Sequence, residues 1–110
     1  MSRGFGPFGK IQEAIKQAQQ VRDNAQKLQE ELEQLAIVGE AGNGLVKVTL
    51  NGNQEPVGIS LDPALFQEAP AVVEDLILTA MKAAYTESSE TMRKRMEELT
   101  SGFNLSGLGL

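Results

Sequence analysis

The sequence predicts an α+β fold: a long N-terminal helix, a three-stranded antiparallel meander, a short turn and a long C-terminal helix. Three observations carry this. Ile11, Ala14, Ala18, Val21, Ala25, Leu28, Leu32 and Leu35 recur at alternating steps of three and four residues, a heptad seam. Val46, Val48 and Leu50, then Val57, Ile59 and Leu61, alternate with small or polar residues, the period of half-buried strands. Val73, Leu76, Ile77, Ala80, Met81 and Ala84 return to helical spacing on one face.

The first helix is filled between its seam positions by Gln, Glu, Lys and Ala, all good helix formers. Its seam is graded, from Ile, Ala and one Val in the first part to Leu28, Leu32 and Leu35 at the end. A buried Leu removes far more apolar surface from water than Ala, by about 1–2 kcal/mol per position. The helix is therefore expected to be anchored at its C-terminal end and to project at its N-terminal end.

A short run from Leu35 to Glu40 precedes the turn signal Ala41-Gly42-Asn43-Gly44. The Val46–Leu50 strand is followed by Asn51-Gly52, read as a two-residue hairpin turn with positive φ. Asp62-Pro63 supplies a cap and a first helical residue for a short turn through Phe66. Pro70 restarts a helix with Glu74 and Asp75 near its positive end. That helix turns polar from Thr86 to Thr91, regains an apolar stripe at Met92, Met96 and Leu99, and stops at Ser101-Gly102. The whole is one domain, ordered over about residues 8–102, with Gly-rich ends expected to be mobile. A small sheet with open edges and a seam lacking a partner are both satisfied by a symmetric homodimer.

Composition narrows function sharply. The 110 residues contain no Cys, no His and no Trp, with one Tyr and four Phe. Thiolate nucleophiles, disulfides, the commonest metal ligand and the usual neutral-pH base are thereby excluded, and few rings are left for stacking. The adjacent acids Glu74 and Asp75 diverge around their helix, and Glu30, Glu31 and Glu33 have no metal-ligand partner. Gly4, Gly6 and Gly9 have the look of a phosphate loop but lack both a preceding strand and a following Gly-Lys-Ser/Thr. No catalytic residue, metal site, cofactor or small-molecule substrate is expected. No apolar stretch approaches the ~20 residues of a membrane span, and the N-terminus lacks the apolar core of a secretory signal, so a cytoplasmic location is expected.

The net charge is −5, but it is unevenly spread. Residues 1–28 hold Arg3, Lys10, Lys16, Arg22 and Lys27 against only Glu13 and Asp23, whereas residues 29–90 hold Lys47 and Lys82 against eleven acids. The last stretch holds Arg93, Lys94 and Arg95 against Glu97 and Glu98. Both ends are basic and the middle is acidic. The leading helix is also rich in amides: Gln12, Gln17, Gln19, Gln20, Asn24 and Gln26. Such a surface suits phosphates. It is equally an ordinary solvated helix, with Asp23–Lys27, Lys27–Glu31 and Glu90–Lys94 spaced for i,i+4 pairs. Phe5, Phe8 and Phe103 fall in the Gly-rich ends as loose tails or docking residues, and the Met residues read as core filling.

The stretch Gly39-Glu40-Ala41-Gly42-Asn43-Gly44-Leu45-Val46-Lys47-Val48-Thr49-Leu50-Asn51-Gly52, with Ile59-Ser60-Leu61-Asp62-Pro63, resembles the YbaB/EbfC family of bacterial nucleoid-associated proteins. Lys16-Gln17-Ala18-Gln19-Gln20 and Val73-Glu74-Asp75-Leu76 extend the similarity, which runs from about Phe8 to Gly102. The resemblance implies a tweezer-like homodimer whose sheets join centrally and whose helices project as arms. It implies binding of double-stranded DNA with low sequence specificity, and a role in nucleoid organisation and gene expression. Carried over by position, it points to Lys10, Lys16, Arg22, Lys27, Arg93, Lys94 and Arg95 as the DNA-binding residues. The chain departs from the pattern at Thr86-Glu87, where relatives often carry a basic pair. Some relatives in photosynthetic lineages are linked to protein targeting, so the competing expectation is a dimeric protein-interaction module that does not depend on DNA.

Overall fold

The computed structural model describes residues 5–101, with side chains from Gly9 onward. Helix α1 spans Phe5–Gln34, strands β1, β2 and β3 span Ile37–Ala41, Val46–Leu50 and Pro56–Leu61, a 3₁₀ turn spans Pro63–Gln67, and α2 spans Pro70–Ser101. The strands form one antiparallel sheet in the order β1-β2-β3. The predicted architecture is thus observed. The backbone is helical from Phe5, ahead of the first seam residue, and α1 takes in Gly6, Pro7 and Gly9. Phe103 and the C-terminal residues lie outside the described segment, as do the first four residues.

The core is the layer between the sheet and α2. Ala41, Val46, Val48 and Leu50 face Ala80 and Ala84, with Leu65 closing one end and Leu45, Leu61, Val73, Leu76 and Ile77 packed around them. Helix and sheet approach closely because small residues meet there. A Cβ on Gly39 would lie 2.3 Å from the Ala80 carbonyl oxygen and 2.4 Å from the Ala84 nitrogen. Asp62 caps the 3₁₀ turn as expected, its Oδ1 accepting from the Ala64 N–H at 2.9 Å.

The turn between β2 and β3 differs from the sequence expectation. The loop runs from Asn51 to Glu55, and its positive φ falls on Gln54 rather than on Asn51 or Gly52. Buried Asn51 organises it: Oδ1 accepts from the Asn53 and Glu55 N–H groups, and Nδ2 donates to Glu55 Oε1. Gly52 serves close approach instead. Its N–H donates to the Leu32 carbonyl at 2.7 Å, and a Cβ would meet that oxygen at 2.9 Å. A two-residue turn would forfeit this seat on α1.

Strand β3 also departs from simple alternation. Leu61 and Ile59 pair with Val46 and Val48, but the register shifts at Thr49/Leu50 so that Pro56 opposes Leu50 and Val57 is the extra residue. Since α2 packs on β1 and β2, Val57 and Ile59 remain 59% and 57% exposed. Met81, expected in the core, is likewise exposed beside them.

The seam of α1 is graded as its composition predicts. Leu28 and Leu32 are buried, Leu35 is half-buried, and from Gly9 to Lys27 every residue is exposed except half-buried Asn24. The result is an elongated molecule, 83 × 22 × 16 Å with a radius of gyration of 22.3 Å. A compact chain of this length would have a radius of gyration of about 13 Å. The excess is a projecting arm.

Candidate nucleic-acid interface

The arm of α1 exists because its sequence favours helix over every other state while offering little to bury. Ala14, Ala18 and Ala25 supply helix propensity with small apolar area, so backbone hydrogen bonds form without demanding a partner for each turn. Lys10, Lys16, Arg22 and Lys27 ride on this exposed segment. None of the four is in an ion pair among the described residues. The i,i+4 pairs expected at Asp23–Lys27, Lys27–Glu31 and Glu90–Lys94 are not closed. Their cations are left facing solvent. Successive steps of five or six residues separate the four along the arm by about 8–9 Å each, and Lys16 and Lys27 share a side while Lys10 and Arg22 point elsewhere. This is a set of cations around a rod, not a single recognition row.

The cations of the last helix are placed differently. Arg93 donates to Glu97 Oε1 at 2.7 Å. Arg95 reaches across to Glu31 of α1 through Nη2, and its Nε lies 3.6 Å from Glu98 Oε2. Lys94 is exposed and outside any described ion pair. Arg95 and Lys27 line one cleft between the helices, with Asn24, Leu28, Glu31, Glu98 and Leu99. The structure therefore brings Lys27 together with Arg95 alone of the C-terminal basic run, and leaves Lys10, Lys16 and Arg22 further out on the arm.

Two features are not evident from the sequence. The Arg95–Glu31 contact joins positions 64 apart, and only the matching of opposite charges beside two apolar stripes (Leu28–Leu32 and Met92–Leu99) hints at it. The second is an apolar trough between β3 and α2, floored by Val48, Leu50, Pro56 and Gly58 and walled by Ile59, Ile77, Met81 and Tyr85. Tyr85 is 57% exposed and Leu78, on the same helix, 49%. Among the described residues no three acids gather in a way that could hold a metal ion, and no helix is long and apolar enough to cross a membrane.

The chain resembles known proteins over nearly its whole length. The model of the YbaB/EbfC DNA-binding family matches residues 8–103. A nucleoid-associated protein of Synechococcus is 73% identical over 110 residues, covering 100% of this chain and 99% of that protein. A nucleoid-associated protein of Gloeobacter violaceus is 58% identical, covering 99% of each. The crystal structure of an uncharacterized Helicobacter pylori protein superposes with a TM-score of 0.68 at 18% identity, over 87% of this chain and 96% of that one. At that identity the likeness shows a shared fold. With a family match spanning residues 8–103 and relatives this similar, the chain belongs to the YbaB/EbfC DNA-binding family of bacterial nucleoid-associated proteins.

Proposed function

We propose that the protein acts as a homodimer that grips double-stranded DNA through its α1 arms, with little sequence preference, and so influences nucleoid organisation and gene expression from the cytoplasm. One observation carries the reading: Lys10, Lys16, Arg22 and Lys27 stand on an exposed, projecting helix with no described acid in ion-pair contact. Lys94 adds a fifth cation, outside any described ion pair, on α2. Arg93 and Arg95 have carboxylate partners that a phosphate would have to displace. Charges spread around a rod neutralise phosphates, and phosphate contacts carry register without reading bases. Low specificity follows.

Dimerisation is supported by the exposed apolar residues Ile59, Met81 and Tyr85, which line adjoining hollows between β3 and α2 that a second copy would cover. Pairing doubles the arms while most acids stay in the sheet-bearing body, so the potential at the arms is positive despite the net charge of −5. Four to eight phosphates per dimer would give log K a slope of roughly −4 to −7 against log salt. Electrophoretic mobility shifts of a duplex at several salt concentrations test this. No shift at low salt, or one that ignores salt, refutes it.

A second reading is favoured by Ile11 and Ile15, exposed at 56% and 51% on the same arm: a protein-interaction module using the apolar side of α1. It predicts binding that survives charge neutralisation of the arm and fails on Ile11→Ser/Ile15→Ser.

A further inference from the structure

We infer that Arg95 is a positioning residue, which sets the angle at which the α1 arm leaves the body, and not a phosphate contact. The inference rests on the reading that the arms hold DNA, but its geometry stands alone. Arg95 makes the one side-chain hydrogen bond between α1 and α2 among the described residues, to Glu31. Its guanidinium is held on two sides, by Glu31 of α1 and Glu98 of α2. The Arg95 side chain is 34% exposed against 59% for Arg93 two residues earlier, so it lies down in the cleft rather than out in solvent. Leu28 and Leu99 line the same cleft. Beyond Asn24, toward the N-terminus, every described residue of α1 is exposed. The ion pair therefore sits where the arm parts from its support.

Leverage makes this position matter more than the modest energy of a partly exposed pair. Lys10 is fourteen residues out from Asn24, about 21 Å along the helix. A rotation of some 10° about Asn24 moves Lys10 by roughly 4 Å, comparable with the ~3.4 Å of duplex axis per phosphate of one strand. Arms held at one angle meet phosphates without first losing that freedom. Arms free to swing must lose it on binding. The guanidinium sets two separate nitrogens, Nη2 and Nε, against Glu31 and Glu98, a fixed fork that the compact, flexible ammonium of Arg95→Lys keeps in charge but not in geometry.

The protein has no cysteine, so Gln19→Cys/Glu74→Cys places one spin label on the arm and one on α2 at exposed positions. Labelled chain diluted in excess unlabelled chain reports the distance within one copy. Arg95→Lys, Arg95→Gln and Glu31→Gln should each broaden the 19–74 distance distribution. Each should also weaken duplex binding several-fold at fixed salt without flattening the plot of log K against log salt. Glu31→Gln removes a negative charge, so electrostatics alone predicts tighter binding and positioning predicts weaker. Arg95→Leu/Glu31→Leu replaces the pair by an apolar contact beside Leu28 and Leu99, and should restore both the narrow distribution and the affinity. The inference is overturned if all distributions match the parent's. It is equally overturned if Arg95→Gln flattens the slope by about 0.9, the share of one phosphate, while the double Leu variant stays as weak. If the parent bound no DNA, the label distances would still decide the positioning role by themselves.

Discussion

Ser88 Oγ donates a 2.7 Å hydrogen bond to the Asn51 carbonyl, joining the middle of α2 to the loop between β2 and β3. Ser88 is fully buried and Asn51 nearly so, and the same loop donates the Gly52 N–H to α1 at Leu32. The loop thus ties both helices to the sheet. Ser88→Ala should lower unfolding stability by about 1 kcal/mol, because the Asn51 carbonyl keeps a second donor in the Gln54 N–H at 3.2 Å. Ser88→Leu should cost more, about 1–3 kcal/mol, by overpacking the contact. Urea denaturation of the two variants checks the order. A Leu variant more stable than the Ala variant would show that the site has room and that the hydroxyl is incidental.

The close approach of α2 to β1 predicts a severe effect from the smallest possible insertion. A methyl at position 39 would collide with the backbone at Ala80 and Ala84, which no side-chain rotation relieves. Gly39→Ala should destabilise by about 3 kcal/mol or more, whereas Gly58→Ala, with open space around its Cβ, should stay within about 1 kcal/mol. Thermal unfolding of both variants tests the contrast. Similar melting temperatures would mean that helix and sheet separate more easily than their packing implies.

The burial gradient of α1 predicts a gradient of mutational cost. Leu32 is 2% exposed and Ile11 56%. Leu32→Ala should cost about 2–5 kcal/mol and Ile11→Ala about 0.5 kcal/mol or less. Urea denaturation at two protein concentrations measures both. A large cost at Ile11, rising with protein concentration, would mean that a second copy covers the arm.

Placing the dimer contact on β3 predicts that a charge there separates the copies. Ile59→Arg leaves the layer of Val46, Val48, Ala80 and Ala84 untouched, since Ile59 is 57% exposed. Sedimentation velocity should show the parent as a dimer and the variant as a folded monomer, with weaker DNA binding because two arms no longer act together. A monomeric parent, or an unchanged dimer in the variant, would remove β3 from the contact.

What can be read from the residues, and what cannot, divides along a physical line. Period and composition are local, so the Leu-weighted end of α1, the alternation Val46-Val48-Leu50 and the Asp62-Pro63 cap are all legible. Contacts between distant segments are not. Asn51-Gly52 matches a tight hairpin, yet its glycine answers to Leu32 on another element. The polar run Thr86–Thr91 looks solvated, yet it hides buried Ser88. Val57 and Ile59 look like core, but a register shift and the position of α2 leave them open. At the candidate site, the cations of α1 are legible as an excess of charge. The engagement of Arg95 by Glu31 is not, because sequence separation carries no information about which helix turns will meet.

The salt dependence of duplex binding by the parent and by Lys10→Gln/Lys16→Gln/Arg22→Gln/Lys27→Gln is the most direct test that the arm cations neutralise phosphates. Neutralisation by the arm predicts steep salt dependence for the parent. For the variant it predicts a plot flatter by about 0.9 for each phosphate no longer neutralised, with the fold intact by circular dichroism. A variant whose slope and affinity equal the parent's would contradict it, and DNA would then have to be held elsewhere on the molecule.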